Sequence, residues 1–394
     1  MKIVSIILAG VILEIAVMLI LLPLATPEHL QTTDFVNFYI GASIVRQDGG
    51  HHLYSREAQD AAYLSIAGYK SNQYFLHPPF EAAAFAPLTY LDMRSAYVAW
   101  MLTNVALLSC LPLVLMPCTS FVARRPQLLL LSFCFLPVLI ALNTGQDAIF
   151  LLFAMSASYL LSSKGKDLPA GTVLALVAVK FQYLLFLAPL LLFARRFRLV
   201  AGLICGTTVL GVISLAVCGP AGIREYVSFL HDFNAHQGYG GLNPTLMVSA
   251  RGLFAGLRFG NASTWGWVVA TMLFVIASAI LWRRIAADLK GLQFALAITV
   301  ALLASPYAHF PDMTLMILPA VLTIDAVLAG HLHYRVLTTI TSAALFVVPY
   351  ILISRGRHYW WESSVYLLFL VIAAFAGSLM VELSFASKSR AQVA

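Results

Sequence analysis

Asp34 is the residue of this chain whose surroundings best suit acid–base chemistry. It lies in a polar stretch, residues 31–54, that follows the first hydrophobic span of an otherwise apolar N-terminal quarter. A carboxylate just outside a bilayer, at the mouth of a helical bundle, is well placed to act as a general base. The alternative is that Asp34 caps a helix beginning at Phe35, since aspartate is a favoured N-cap residue.

Four other polar residues interrupt apolar sequence. Lys180 lies within an apolar segment, where an isolated ammonium costs about 2.5–3.5 kcal/mol unless it meets an anion or reaches the interface. Gln146 and Asp147 share a short turn, and His309 lies in a short loop between two apolar segments. The simpler explanations are that Gln146 and Asp147 cap the next helix and that the histidine is an interfacial residue without a partner.

The elements that must position these side chains are membrane helices. Of 394 residues, 61% are hydrophobic and 10% are charged, and the mean hydropathy is +0.87. Soluble domains carry roughly 25% charged residues. Apolar runs of about 20 residues, the length needed to cross a bilayer core, recur along the chain. The composition therefore predicts an all-α polytopic membrane protein whose chemistry lies in loops and helix ends, and we expect no nucleic-acid partner.

Basic clusters predict the topology, because Lys and Arg accumulate on the cytoplasmic side. Placing six clusters inside gives about twelve spans with both termini in the cytoplasm. These clusters are at 124–125, 164–166, 195–198, 283–290, 331–335 and 388–390. The longest outer segments are then residues 26–94 and 219–262. The first span, residues 3–25, is expected to be retained rather than cleaved as a signal peptide.

One predicted hairpin is too short to span comfortably. Residues 168–194 give two arms of about 13 residues on either side of Lys180, whereas about 20 are needed. The arms are either tilted or turn back at Lys180 within the membrane. Ten or eleven spans therefore remain open.

An ordered set of short motifs resembles glycosyltransferase family 87. The motifs are D-F-x-x-F-Y-x-G-A with G-x-x-x-L-Y in 34–54, Y-x-x-x-P-P-F with A-P-L in 74–88, N-x-G-Q-D in 143–147, A-G-x-x-L-A-L-x-A-x-K in 170–180, N-P-T in 243–245 and S-P-x-x-H in 305–309. Each motif is short, but the set covers nearly the whole chain in order. Two positions depart from the family pattern: Phe181 replaces a frequent Pro after the lysine, and Asp147 replaces Asn.

The resemblance implies a GT-C-like bundle with extracytoplasmic loop helices, and a polyprenyl-phosphate sugar as the donor. Asp34 would be the base in an inverting single displacement. Lys180 and His309 would contact the departing phosphate; the alternative for the lysine is an anchor that snorkels to the interface. Gln146 and Asp147 would bind sugar hydroxyls.

Two further residues complete the expected substrate contacts. Tyr39 belongs to the same motif as Asp34. Arg251, like Arg355, Arg357 and His358, is an outer-face cation in hydrophobic surroundings, which would bind phosphate or anionic head groups or anchor a helix.

No cofactor and no metal are expected. The departing group is a single phosphate rather than a pyrophosphate, the chain has no D-x-D motif, and its five cysteines form no C-x-x-C pair. The expected partners are a polyprenyl-phosphate sugar carrying mannose, another hexose or arabinose, a lipid-linked or envelope glycan acceptor, and membrane lipids. The expected location of the single domain, residues 1–394, is a bacterial inner membrane, with the active site facing outward.

The competing hypothesis is a polytopic transporter or a lipid or glycolipid flippase. Such proteins often contain internal repeats and paired discontinuous helices. The two halves of this chain show no obvious similarity, and its long outer loops suit an enzyme better.

Overall fold

The computed structural model describes residues 25–69, 71, 73–235, 243–258, 260, 262–282, 289–354 and 365–391, with a few positions among the first 24. Across these residues the regular structure is helical, apart from one isolated bridge between Met247 and His309. The predicted all-α class is confirmed. Most of the first predicted span and the outer-face residues Arg355, Arg357 and His358 lie outside the described residues.

The helices of the described residues vary widely in length. In chain order the α-helices are α1 (Pro27–Leu30), α2 (Phe35–Asp48), α3 (Arg56–Ala62), α4 (Pro79–Phe85), α5 (Met93–Leu115), α6 (Ser120–Arg124), α7 (Leu136–Thr144), α8 (Ala148–Ser163), α9 (Asp167–Leu174), α10 (Leu184–Phe193), α11 (Phe197–Ala235), α12 (Ala250–Gly256), α13 (Ala262–Trp282), α14 (Lys290–Ala304), α15 (Ile317–Leu328), α16 (Arg335–Ser354) and α17 (Val365–Ala391). Segments of 3-10 helix cover Ala86–Tyr90, Pro126–Cys134, Ala175–Tyr183, Pro244–Leu246 and Phe310–Met316, and a π-helical turn covers Tyr63–Ala67.

Seven helical stretches of the described chain are long and apolar enough to cross a membrane. They are Met93–Leu115, Asp167–Phe193, Phe197–Phe233, Ala262–Leu281, Phe310–Leu328, Arg335–Ser354 and Val365–Ala386. The apolar helices α8 and α14 are shorter. These stretches support a multi-pass membrane protein, but the predicted count of about twelve spans is not confirmed. One reason is that some predicted spans are divided, as where 3-10 helix precedes the nine-residue α7.

The segment Asp167–Phe193 folds back on itself. An Arg196 Nη2–Asp167 Oδ1 ion pair of 2.6 Å joins the residues at its two ends. At its middle, Lys180 leaves helical geometry, with φ −115° and ψ 71°. From helical rises, each arm is about 22 Å long, shorter than a bilayer core of about 30 Å. The segment is therefore a hairpin with Lys180 at its tip, the second of the two arrangements that its sequence allowed.

Glycines let the first arm of the hairpin lie directly against α11. A Cβ placed on Gly202 would lie 2.0 Å from the Leu168 carbonyl oxygen, and one on Gly171 would lie 1.9 Å from that of Leu199. Small residues at such crossings allow membrane helices to approach backbone to backbone. This contact fixes the direction in which the hairpin tip points.

A second close approach joins the turn after α7 to the start of α2. Gly145 ends α7 with φ +72°, a left-handed conformation that suits glycine, and a Cβ there would lie 2.6 Å from Phe35 Cβ. The Trp100 indole N–H donates to the Gly145 carbonyl at 2.9 Å, and the Tyr97 hydroxyl donates to the Asn143 carbonyl at 2.9 Å. The residue after Gly145 is thereby held beside the residue before Phe35.

Candidate functional site

Four elements meet around a cavity of about 170 Å³. They are the start of α2, the extended chain before α4, the turn between α7 and α8, and the hairpin tip, with the loop before α15 closing one side. The polar side chains that line the cavity include Asp34, His77, Gln146, Lys180, His309 and Asp312. All the elements belong to segments that the topology prediction places on the outer face or at its turns.

Asp34 faces the cavity rather than capping its own helix. Its backbone is already helical, with φ −71° and ψ −19°, and its side chain makes no cap hydrogen bond to α2. Instead the Gln146 Nε2 amide donates to Asp34 Oδ2 at 2.7 Å. The geometry therefore does not support the capping alternative.

Lys180 is the centre of the polar network. Its ammonium lies 2.8 Å from Asp147 Oδ1, 2.6 Å from Asp312 Oδ1 and 3.1 Å from Gln146 Oε1. It donates hydrogen bonds to Gln146 and Asp312, and its contact with Asp147 is an ion pair. Because Gln146 also contacts Asp34, the lysine holds the amide that orients the candidate base.

Lys180 does not reach the interface as an anchor. Its side chain is 9% exposed and lies between two buried carboxylates. Non-helical backbone at membrane depth is tolerated where it is buried in protein or lines a cavity, and both conditions hold at this hairpin tip. The snorkelling alternative is therefore not supported.

His77 and Glu81 form a pair on another wall of the cavity. His77 Nδ1 lies 2.7 Å from Glu81 Oε2; Glu81 is in the first turn of α4, and His77 is in the extended chain just before that helix. The His77 side chain is 22% exposed and Glu81 is 3% exposed. The ring of His77 packs edge-on against Phe38, with ring centroids 4.9 Å apart. The imidazole thus reaches the cavity while the carboxylate stays behind it.

His309 begins the 3-10 turn that carries Asp312. The backbone N–H of His309 donates to Asp312 Oδ2 at 2.8 Å, while Oδ1 of the same carboxylate accepts from Lys180. One aspartate therefore ties the loop before α15 to the hairpin tip. This contact keeps the imidazole at the cavity.

Burial shifts the acid–base properties of the two lining groups in opposite directions. Loss of water raises the pKa of Asp34, and the Gln146 hydrogen bond and nearby His309 and Lys180 offset part of that rise. Burial lowers the pKa of His309, although Asp312 and Asp34 oppose this. A carboxylate with a raised pKa is a better proton acceptor, and a histidine with a lowered pKa is neutral near pH 7.

Three of the residues expected to bind substrate do not line this cavity. The Tyr39 hydroxyl donates to the Leu91 carbonyl at 2.7 Å, and its side chain is 7% exposed, so it is a packing residue. Asp147 is 1% exposed and ion-paired with Lys180, so burial separates its carboxylate from a sugar in the cavity. It precedes α8 but makes no side-chain cap hydrogen bond.

Arg251 lies beside the cavity without lining it. Its Nη1 donates to the Pro306 carbonyl at 3.1 Å, and its guanidinium lies 5.2 Å from the Tyr307 ring centroid and 5.7 Å from that of Trp267. Tyr307 itself lines the cavity. The arginine therefore supports a wall of the site.

Sequence reasoning missed three residues of the network: His77, Glu81 and Asp312. The first two lie four positions apart, on either side of the Pro78–Pro79 pair. Asp312 lies three positions after His309, the spacing of a side chain that receives a backbone N–H at a helix start. Both spacings could have been recognised, but neither identifies a partner elsewhere in the chain.

A second cavity, of about 370 Å³, adjoins the first and is almost entirely apolar. Its lining includes Phe85, Trp100, Phe150, Leu176, Leu210 and Ile213. Val179 lines both cavities. Glu81 and Asp147 form part of the wall between the apolar cavity and the polar network.

His77, Glu81 and Asp147 are the described residues that could hold a metal ion by type and proximity. Each offers one ligand atom, and these atoms lie within 4.8 Å of one another. However, Lys180 already neutralises Asp147, and the Glu81 carboxylate already faces the His77 ring. The expectation that no metal is needed stays a prediction.

The arrangement can remove a proton from a hydroxyl group and can hold a polar molecule that carries a long apolar tail. The sequence model of glycosyltransferase family 87 matches residues 75–306, more than half of the chain. No curated protein and no solved structure matches. The matched residues include Gln146 and Lys180, while Asp34 and His309 lie outside them and are joined to them by geometry. By this match the chain belongs to glycosyltransferase family 87.

Proposed function

We propose that the protein transfers a sugar from a polyprenyl phosphate to a lipid-linked or envelope glycan. The sugar is mannose, another hexose or arabinose, and the transfer occurs on the outer face of a bacterial inner membrane. The observation that carries this proposal is the junction of two cavities. A polar cavity with a buried, oriented carboxylate shares a wall with an apolar cavity of about 370 Å³. Such a pair of cavities suits a substrate with a sugar at one end and a prenyl chain at the other.

In the proposed reaction, the acceptor hydroxyl attacks the anomeric carbon from the face opposite the phosphate. Asp34 takes the hydroxyl proton, and the pair of electrons of the breaking C–O bond leaves with the phosphate. The configuration at the anomeric carbon is inverted in this single displacement. The raised pKa of Asp34, caused mainly by burial, suits it to this role.

Lys180 acts in this scheme as a positioning residue. Its ammonium donates to Asp312 and Gln146 and forms an ion pair with Asp147. It therefore fixes the amide that holds Asp34 and also contributes positive potential to the cavity. A phosphate oxygen could bond to its ammonium only by displacing one of these partners.

His309 is proposed to act as a neutral hydrogen-bonding group. It lines the cavity, and burial lowers its pKa. A neutral imidazole can donate to a phosphate or sugar oxygen through one nitrogen and accept through the other. The metal-free displacement suits the donor, because its leaving group is a single phosphate.

The test is a transfer assay with the purified protein in nanodiscs. It uses a panel of polyprenyl-phosphate sugars with mannose, glucose or arabinose, and a panel of lipid acceptors, with products read by mass spectrometry. Asp34→Asn should lower turnover by about 10²- to 10⁴-fold, the usual contribution of a general base. An asparagine oxygen can still accept from Gln146, so the fold should be kept.

Asp48→Asn is the matched control, because Asp48 is exposed at the far end of the same helix. It should leave turnover unchanged. Full turnover in Asp34→Asn would exclude the proposed base. If no donor gives transfer, but proteoliposomes move a prenyl-linked sugar across the bilayer in the absence of acceptor, the protein is a transporter.

A further inference from the structure

The polar network is short of positive charge for a site that must bind a phosphate. Four carboxylates lie in or behind the cavity wall. Among the described residues that line the cavity, Lys180 is the only lysine or arginine. The carboxylates are Asp34, Glu81, Asp147 and Asp312. An anionic donor would be repelled from this surface unless another group presents a positive N–H to it. The question is which residue does so.

The charged residues already described do not meet this need. The Lys180 ammonium donates to Asp312 and Gln146 and is ion-paired with Asp147, so its charge is already shared between two carboxylates. Arg251 does not line the cavity, and its guanidinium is held by the Pro306 carbonyl and two aromatic rings. His309 lines the cavity, but burial favours its neutral form. None of the three offers the phosphate an uncommitted positive donor.

His77 has the geometry that the others lack. Its Nδ1 is 2.7 Å from Glu81 Oε2, so a protonated ring and the ionised carboxylate form an ion pair at this nitrogen. A second proton on the ring can then reside only on Nε2. With 22% of its side chain exposed, the ring is accessible from the cavity, whereas Glu81 is 3% exposed.

We propose that His77, kept doubly protonated by Glu81, is the cation that receives the phosphate of the donor lipid. This inference rests on the proposed function and deepens it. Nδ1–H donates to Glu81 and Nε2–H donates to a phosphate oxygen. As the C–O bond breaks, the phosphate gains one negative charge, and the imidazolium stabilises it. The acceptor proton still goes to Asp34, so the two groups act on opposite ends of the reaction.

The electrostatic surroundings agree with this assignment. Burial alone would lower the pKa of His77, but the Glu81 carboxylate and, at a greater distance, Asp147 outweigh it, and the pKa is raised. Lys180, at the hairpin tip, opposes this rise. Asp34, before α2, is also in electrostatic contact with His77, and burial raises the pKa of the paired Glu81 carboxyl to about 7.

The sign of the pH dependence follows from these shifts. The required form of His77 is protonated, so activity should be present at lower pH and lost as pH rises through the pKa of His77 in the folded protein. The required form of Asp34 is ionised, so activity should be lost as pH falls through its raised pKa. The profile of kcat/KM is therefore bell-shaped, with Asp34 on the acid limb and His77 on the alkaline limb.

The experiment measures two quantities against pH: kcat/KM for transfer, and the affinity of the full-length protein for polyprenyl monophosphate. His77→Asn keeps an amide donor near the Nδ1 position but lacks Nε2. It should weaken phosphate binding by about 10- to 100-fold, as expected for a lost charge-assisted hydrogen bond. It should also abolish the alkaline limb. Glu81→Gln should move that limb to lower pH, with activity approaching wild type on the acid side.

Two matched controls separate this from a structural effect. His52→Asn and Glu57→Gln change exposed residues of the same outer segment and should leave both pH profiles unchanged. A uniform loss at every pH in Glu81→Gln, with the alkaline limb unmoved, would overturn the proposal. So would phosphate binding by His77→Asn that matches wild type.

A third outcome would identify a different occupant. If EDTA abolishes phosphate binding by the wild type, and Mn²⁺ restores it only when His77 and Glu81 are intact, the pair holds a metal ion and the proposal is wrong. Failure of the proposed function is distinguishable from all of these. In that case the wild type itself neither binds polyprenyl monophosphate nor transfers any sugar.

Discussion

At the scale of single residues, Lys180 shows how one buried charge can organise a site without reacting. Its ammonium satisfies two carboxylates that are each about 1% exposed and also holds the Gln146 amide. Two buried carboxylates without a cation would repel each other and would lose their solvation without compensation. The lysine therefore contributes to folding as well as to the orientation of Asp34.

Lys180→Met should destabilise the protein by about 3–5 kcal/mol, because it leaves Asp147 and Asp312 buried without a countercharge. The measurement is unfolding of the purified protein in a denaturing-detergent titration. The double variant Lys180→Met/Asp312→Asn should recover part of this loss, since one of the stranded charges is removed. If Lys180→Met unfolds like the wild type but no longer binds the donor, the lysine is a phosphate ligand instead.

Chemical type and spacing identified only part of this network. Four residues could be selected because each is polar in an apolar context, where burial without a partner costs free energy. They are Asp34, Gln146, Lys180 and His309. The partners themselves could not be predicted. Asp312 lies 132 positions from Lys180 in the sequence, and no local pattern records a contact across that separation.

The same limitation explains why two of the residues expected to bind substrate do not line the cavity. Tyr39 belongs to the same motif as Asp34, yet in a helix five positions turn the side chain to another face, where its hydroxyl meets the Leu91 carbonyl. Asp147 directly follows Gln146, which lines the cavity, but the Asp147 side chain does not line it and pairs with Lys180 instead. Proximity in sequence thus does not ensure a shared cavity wall.

At the scale of secondary-structure elements, the hairpin Asp167–Phe193 places Lys180 at the cavity. Its arms are too short to span, which could be predicted from their length. What sequence did not reveal is how the hairpin is held. The glycine contacts between its first arm and α11 allow backbone atoms to touch, and the Asp167–Arg196 ion pair closes its base.

Gly202→Ala should displace the hairpin and lower both stability and turnover. The added methyl would lie 2.0 Å from the Leu168 carbonyl oxygen, and overpacking of this kind costs about 1–3 kcal/mol. Thermal unfolding and kcat are the measurements. Gly211→Ala is the matched control in the same helix, because a Cβ there meets no atom within 4 Å.

The control should be neutral or slightly stabilising, since alanine favours helix over glycine. Equal effects of the two substitutions would mean that the close contact does not position the hairpin. Loss of stability with unchanged kcat in Gly202→Ala would mean that the contact matters for folding alone.

At the scale of the whole molecule, the positions of charged residues predicted about twelve membrane spans, and the lengths of the apolar helices do not confirm that number. Clusters of Lys and Arg indicate which loops share a side of the membrane, and the segments predicted to lie outside do converge on one cavity. The number of continuous spans depends instead on where helices break. The 3-10 segment at Pro126–Cys134 interrupts an apolar stretch that the sequence predicts as one span.

The apolar cavity makes a further prediction about how the molecule as a whole meets a lipid substrate. It is enclosed by α4, α5, α8, the hairpin and α11, and Leu210 of α11 is one of its walls. Leu210→Trp should fill part of this volume of about 370 Å³ and displace part of a prenyl chain. Each buried CH₂ contributes about 0.8 kcal/mol, so losing two of them weakens binding by about 10-fold or more.

The measurement compares KM for a long-chain polyprenyl-phosphate sugar with KM for a short-chain analogue of the same sugar. Leu210→Trp should raise the first by about 10-fold or more and leave the second nearly unchanged, because the short chain does not reach the altered wall. Leu215→Trp is the control, since Leu215 is 47% exposed on the same helix and does not line the cavity. Equal changes for both donors would show that the prenyl chain lies elsewhere on the molecule. A loss confined to the long-chain donor would fix the direction from which the lipid enters, between α11 and the helices beside it.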